Sequence, residues 1–214
     1  MIQLEVWGPY ALFTRGEMKV ERVSYDVPTP SAARGIVESI YLHPGMRWVI
    51  RRIYVLNPIE FTTIRRNEVK SKILGSTAMR IAQGKEDEPY LVTTKQIVQR
   101  ASMVLTNVHY VIECHFTMTD KAAPGENPGK FQDIVTRRMR KGQCFSTPYF
   151  GCREFPAHFK QWEGGPIPTI DETRDLGFML YDFDYSDPQN ITPLYFRAKM
   201  EHGVIQVAGC EVFR

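Results

Sequence analysis

With 214 residues, 43% of them hydrophobic and 12% aromatic, the chain can fill a sizeable core, either as one domain or as a domain with an extension. No apolar run approaches the length of a membrane span, and Met1 leads directly into IQLEVWG, so neither a membrane anchor nor a signal peptide is expected. The net charge is only +3, and the four cysteines (Cys114, Cys144, Cys152, Cys210) lack C-x-x-C spacing, which argues against a zinc site or a disulfide framework and favours a reducing cytoplasm.

In chain order, IQLEVWG alternates: Ile2, Leu4 and Val6 on one face, Gln3, Glu5 and Trp7 on the other, which predicts a first strand. A connection of mixed signals leads to TPSAARGIVESIYL. Here Thr29 suits an N-cap, Pro30 the first helical position, and Ala33, Ile36, Val37, Ile40 and Tyr41 recur at helical spacing, with HPGM as the stop. RWVIRRIYVLNPIEFTTI reads as one long strand or two, with Pro58 at an edge or bulge. Residues 65–100, with an acidic turn at 85–88, have no clean period and read as a long excursion, a hairpin or a helical protrusion. SMVLTNVHYVIECHFTM resumes as a strand. A second helix is predicted over 127–141, capped by Asn127 and opened by Pro128, with Phe131, Ile134 and Val135 on its apolar face. Short strands are expected around 149–159, 176–185, 191–200 and 203–213.

This order predicts an α+β fold: a ferredoxin-like, RRM-type unit over residues 1–160, interrupted by the 65–100 excursion, then a β-rich C-terminal extension over 161–214. Such a sheet is a common platform for single-stranded RNA, although the same fold hosts many small-molecule enzymes. The charge distribution gives the chain an electropositive side, which fits a nucleic-acid binder and equally a set of solvated basic faces. Arg47, Arg51, Arg52, Arg65, Arg66, Lys70 and Lys72 crowd one stretch, Arg137, Arg138, Arg140 and Lys141 another, and the acids gather in 171–187.

Neither a phosphate-binding loop nor a G-x-S-x-G elbow is present, and the acids do not cluster as a two-metal site requires. Metal-free RNA cleavage is open to the chain, because a ribose 2′-hydroxyl can attack the adjacent phosphate. That reaction needs a base, a cation on the non-bridging oxygens and an in-line backbone. Lys130 is the candidate cation. It sits in the first turn of the second helix, where the macrodipole favours anions, so either it is a mildly unfavourable surface residue or an anion is meant to sit before it. Gly129 beside it permits close backbone approach. Tyr41 is a second candidate, equally readable as a core residue. His109 and His115, six apart on one strand face, are possible bases.

The blocks SYDVPTPSAARGIVESIY (24–41), PIEFTTIRRNEVKSKI (58–73), NVHYVIECHF (107–116), NPGKFQDIVTRRMRKGQCF (127–145) and YFGCREFPAHF (149–159) together resemble the type I-C (Dvulg-subtype) member of the fifth Cas protein family, within the CRISPR-associated RAMP superfamily. The resemblance implies an RRM-type fold with a C-terminal β extension and binding to the 5′ handle of CRISPR RNA in the Cascade complex. It also implies contacts to the seventh-family backbone subunit and the eighth-family large subunit, and metal-independent cutting of the repeat to a 5′-hydroxyl and a 2′,3′-cyclic phosphate. Neither cofactor nor metal is implied. A tyrosine ending the first helix and a lysine–histidine pair opening the second map onto Tyr41 and Lys130, but Phe131 stands where the histidine would be. Either that histidine is dispensable, or His109 or His115 substitutes, or cleavage is slow. The resemblance places Arg65, Arg66, Lys70 and Lys72 beside the RNA handle, and Arg153 is a further candidate contact to RNA or a partner. Two alternatives remain: a non-catalytic RNA-binding scaffold in the same complex, and an unrelated ferredoxin-like enzyme acting on a metabolite.

Overall fold

The computed structural model describes residues 1–18, 20–85 and 92–214, so of the acidic turn expected at 85–88 only Lys85 lies among the described residues. Two compact units are formed, one from Met1–Thr62 with Met103–Arg214, the other from Thr63–Ser102. The elements are β1 (Ile2–Ala11), β2 (Arg22–Val23), α1 (Pro30–Ile40), β3 (Met46–Val55), β4 (Glu60–Val69), α2 (Gly75–Ala82), α3 (Thr93–Gln96), β5 (Ile97–Met118), α4 (Pro128–Arg140), β6 (His158–Gln161), β7 (Arg174–Asp184), β8 (Thr192–Glu201), β9 (Val204–Gln206) and β10 (Val212–Phe213).

The sheet runs β10-β8-β9-β3-β5-β1-β6; β2 and β4 also pair with β5, and β7 pairs with β8. Its centre, β6-β1-β5-β3, is antiparallel throughout. Leu4 lies opposite Ile112 and Val6 opposite Tyr110, so the apolar residues of the alternating strands meet on one face. That face is covered by α1 and α4. The predicted caps hold both helices: the Thr29 hydroxyl accepts from the Ala32 N–H at 3.1 Å, and the Asn127 side chain accepts from the Lys130 N–H at 3.0 Å. Helix α1 buries Ala33, Ile36, Val37 and Ile40; α4 buries Phe131, Val135 and Met139, while Ile134 is only half-buried.

Three expectations change. The first of the late strands is absent over 149–157, where the only pairing is a single bridge between Tyr149 and Pro156, and β6 begins at His158. The reason is Gly151. Its φ of +75° is left-handed, and a Cβ there would lie 2.1 Å from the Leu12 carbonyl oxygen, so the chain turns tightly against the end of β1. The 203–213 stretch divides into two short strands, β9 and β10. Finally, the connection after β1 contains a small strand, β2.

The unit Thr63–Ser102 contains both strand and helix. Here β4 and β5 come together, with the Lys70 N–H donating to the Gln96 carbonyl at 2.8 Å, and α2 and α3 lie between them in sequence. Helix α2 buries none of its residues. Among the described residues, no helix is long and apolar enough to cross a membrane, and all four cysteines are free thiols.

Candidate active site

Tyr41 is the C-cap of α1. Its backbone leaves the helix at φ −150°, ψ 116°, while its N–H still donates to the Val37 carbonyl at 3.2 Å and its own carbonyl accepts from the Trp48 indole at 2.9 Å. Extended backbone sends residues i and i+2 to one side. The consequence is that the Tyr41 and His43 rings lie parallel, 6.2 Å apart at 13°. Phe131, on the first turns of α4, completes the group, with its ring 5.0 Å from His43 and 6.2 Å from both Tyr41 and Phe116. From the other end of α4, the Arg138 guanidinium lies 5.1 Å over the Tyr41 ring and donates to the Ile40 carbonyl at 2.8 Å. Burial pushes the Tyr41 hydroxyl pKa above its ordinary value, with Arg138 opposing. At neutral pH it is therefore an O–H donor, not a phenolate.

Beside the rings sits Glu126. One carboxylate oxygen accepts from the Ala123 N–H at 2.9 Å; the other lies 3.4 Å from His43 Nε2 and 3.7 Å from Lys130 Nζ. Because the Gly45 N–H donates to His43 Nδ1 at 3.1 Å, the neutral imidazole carries its proton on Nε2, facing Glu126. Gly45 is required for this closeness, since a Cβ there would lie 2.9 Å from Ala122 Cα and 3.1 Å from a Glu126 oxygen. Lys130 is half exposed (52%) and Glu126 largely covered (11%), so the charge that reaches solvent is the cation. The helix start offers little besides. Pro128 has no N–H, Lys130 N–H is taken by Asn127 and Phe131 N–H reaches the Asn127 carbonyl, which leaves the Gly129 N–H beside Lys130.

The family model described as CRISPR-associated protein (Cas_Cas5), of the Cas5d type, matches residues 1–208. The chain belongs to the Cas5d family. It is 48% identical over 213 residues to the Mannheimia succiniciproducens protein named CRISPR pre-crRNA endoribonuclease Cas5d, covering 96% of this chain and 94% of that protein. A Thermus thermophilus protein of the same name is 36% identical over 223 residues, covering 96% and 90%. Among solved structures, one titled "Crystal Structure of CRISPR-associated Protein" is similar with a TM-score of 0.70 at 23% identity, over 100% of this chain and 96% of that one, a likeness of fold.

Within this Cas5d chain, the structure brings Tyr41 and Lys130 to the same cluster, 89 residues apart in sequence, through Phe131, His43 and Glu126. The two histidines weighed from sequence lie apart from one another. His109 is held by Glu5 at 2.8 Å, and His115 lines a hollow with Pro128, Gly129 and Gln132 but makes no ring or ionic contact to Tyr41, Lys130 or Phe131 among the described residues. Sequence reasoning missed His43, which it read only as part of a helix stop. The signal was its i+2 spacing from a helix-ending tyrosine. Arg153 is exposed in the turn after Gly151 and makes none of the cluster's contacts. Arg65, Arg66, Lys70 and Lys72 belong to the unit Thr63–Ser102. Arg65 is exposed, whereas Arg66, on the opposite side of the same strand, donates to the Ser102 hydroxyl at 3.1 Å.

Proposed function

We propose that this chain is a pre-crRNA endoribonuclease that cuts CRISPR repeat RNA without a metal and stays bound to the 5′ handle. It would do so as a cytoplasmic subunit of a type I-C Cascade, next to the seventh-family backbone and eighth-family large subunits. The observation that carries this reading is the convergence of Tyr41, His43 and Lys130 around Phe131, in a chain similar along its length to two proteins named pre-crRNA endoribonucleases. The strand order β6-β1-β5-β3 with α1 and α4 on one face supports an RRM-type unit over residues 1–160, carrying 65–100 as an insertion, with 161–214 as a β-rich extension.

In this mechanism the 2′-oxygen forms a bond to phosphorus as its proton passes to a solvent water, and the 5′-oxygen takes a proton from water as its bond to phosphorus breaks. Lys130 and the Gly129 N–H stabilise the charge developing on the non-bridging oxygens; the phosphate takes the place of Glu126 as partner of the ammonium. Tyr41 donates its O–H to the reacting phosphate or ribose. His43, with its proton on Nε2, can donate a hydrogen bond to the leaving oxygen. Arg65, Arg66, Lys70, Lys72 and Arg153 hold the flanking RNA through phosphate contacts.

A second reading, a non-catalytic RNA-binding scaffold, is favoured by Phe131, which cannot transfer a proton at the position where the resemblance implies a histidine. Incubating the purified chain with its cognate repeat RNA separates the two. Cleavage in EDTA that stops when the nucleotide at the cut site lacks its 2′-hydroxyl is expected. A requirement for magnesium, or cutting of the deoxy substrate, overturns the mechanism, and intact RNA bound without cleavage favours the scaffold.

A further inference from the structure

The sheet face away from α1 and α4 carries a second constellation that this chemistry does not use. Trp7 lies directly opposite His109 on β5 and His158 on β6, so three rings form a row across adjacent strands. The Trp7 and His158 rings stack at 5.8 Å and 25°; His109 meets Trp7 edge-on at 6.1 Å. Beneath them is a carboxylate. Glu5 is only 6% exposed, yet it lies on the face opposite Leu4 and Val6; it is held by His109 at 2.8 Å and Lys160 at 3.2 Å. Lys160 also stands 5.6 Å from the Trp7 ring centre. These groups wall a cleft of about 410 Å³. Its far wall is Asn107, at an uncommon left-handed φ of +47°, with the Asn57 amide donating to its carbonyl at 2.8 Å.

A row of cross-strand rings can be simple sheet stabilisation. That account explains neither the cleft nor the buried carboxylate. Glu5 fixes Lys160 and His109 in place while hiding its own charge, so what the cleft presents outward is aromatic surface and positive charge. That combination suits a nucleotide: rings for a base, a cation for its phosphate. An acidic protein segment would gain from Lys160 but would leave the ring row unused.

We infer that this cleft binds one nucleotide of single-stranded RNA, its base against Trp7 and His158 and its phosphate at Lys160. The inference rests on the proposal that the chain handles RNA, and it adds a recognition site apart from the cutting site. The test measures affinity of the full chain for a synthetic 5′-handle oligonucleotide, already at product length, so that cleavage does not enter. Trp7→Ala and His158→Ala should each weaken binding about ten-fold, with Trp7→Phe recovering most of the loss. Single-turnover cutting of the repeat at saturating protein should stay within about two-fold. His158 is exposed, so its variant is informative even where Trp7→Ala folds poorly. Scanning 5-iodouridine through the handle should place one position in cross-link with residues 1–11 or 158–162. Unchanged handle affinity in both alanine variants, or cross-links confined to other segments, overturns the inference; unchanged affinity with failure to assemble with partner proteins assigns the cleft to a protein instead. A chain that cuts normally but binds the handle equally well in both variants defeats this inference alone. One that never cuts yet loses handle affinity in both variants defeats the nuclease proposal and sustains this site.

Discussion

Lys130 places a positive charge in the first turn of α4, against the helix macrodipole. The structure supplies the compensating anion from within the chain: Glu126, four residues earlier and just outside the helix, lies 3.7 Å from the ammonium. Under the proposed mechanism a phosphate would meet a lysine already held in position, whose partner carboxylate is retained by the Ala123 N–H and His43. Lys130→Ala should therefore lower the cleavage rate about a hundred-fold or more while weakening RNA binding much less, as measured by single-turnover rate against Kd. Tyr41→Phe keeps the ring between Arg138 and Phe131 and removes only the hydroxyl. It should slow cutting with little change in Tm, and by the same factor across the neutral pH range, because burial keeps the hydroxyl protonated there. A changed pH profile would show that Tyr41 titrates in the reaction. His43→Ala should likewise lower the single-turnover rate, through loss of the Nε2–H donor. Restoring the residue that the family resemblance implies, Phe131→His, would put an imidazole where a fully buried ring packs against Phe116, so a lower Tm is expected before any gain in rate.

At the scale of elements, α4 is positioned by its first residue and its last turns. Asn127 accepts from the Lys130 N–H, so Asn127→Ala should cost about 1 kcal/mol in Tm-derived stability and also loosen the turn that carries Lys130. The basic residues at the far end, Arg137, Arg138 and Arg140, suit the helix C-terminus electrostatically, and Arg138 ties it to the end of α1. Part of what reads in sequence as an RNA-binding cluster is thus helix chemistry. The basic strand β4 needs the same care. Arg65 and Arg66 lie on opposite sides of it, and Arg66 is engaged with Ser102. Replacing both with alanine should weaken repeat-RNA binding and flatten its salt dependence, with Arg65→Ala alone giving most of the effect. Equal effects from the two single variants would mean that both faces of the strand meet RNA.

Across the whole molecule, the C-terminal acids are largely consumed by ion pairs rather than left as an acidic surface. Asp175 pairs with Arg197, Asp184 with Arg214, and Asp182 takes both nitrogens of Arg34 on α1 at 2.5 and 2.9 Å. The last pair fastens β7 to α1. Both side chains are mostly covered, so Arg34→Ala should destabilise by about 2–3 kcal/mol, read from denaturant midpoints. The loss should depend on pH. Burial raises the Glu38 pKa and Arg34 opposes it, so removing Arg34 raises the folded-state value further above the unfolded one. A raised carboxyl pKa costs stability above the carboxylate range and not below it. The deficit of Arg34→Ala relative to the native chain should therefore narrow as pH falls through that range; a pH-independent deficit would show that Glu38 does not feel Arg34.

The helices, their caps and the alternation of β1 were legible in the sequence because each depends on residues within a turn or two of one another. Tyr41 and Lys130 could be nominated from the family resemblance, but no local pattern says that a helix end and a helix start 89 residues apart share one cluster; packing on the sheet decides that. Phe131 stands at the sequence position where the resemblance implies a histidine. In space, the extended backbone after α1 delivers His43 to the same rings, and Glu126 to both His43 and Lys130. The turn at Gly151 and the pairing of Asp182 with Arg34 are likewise tertiary outcomes, since each is set by what the chain meets elsewhere in the fold and not by its neighbours in sequence.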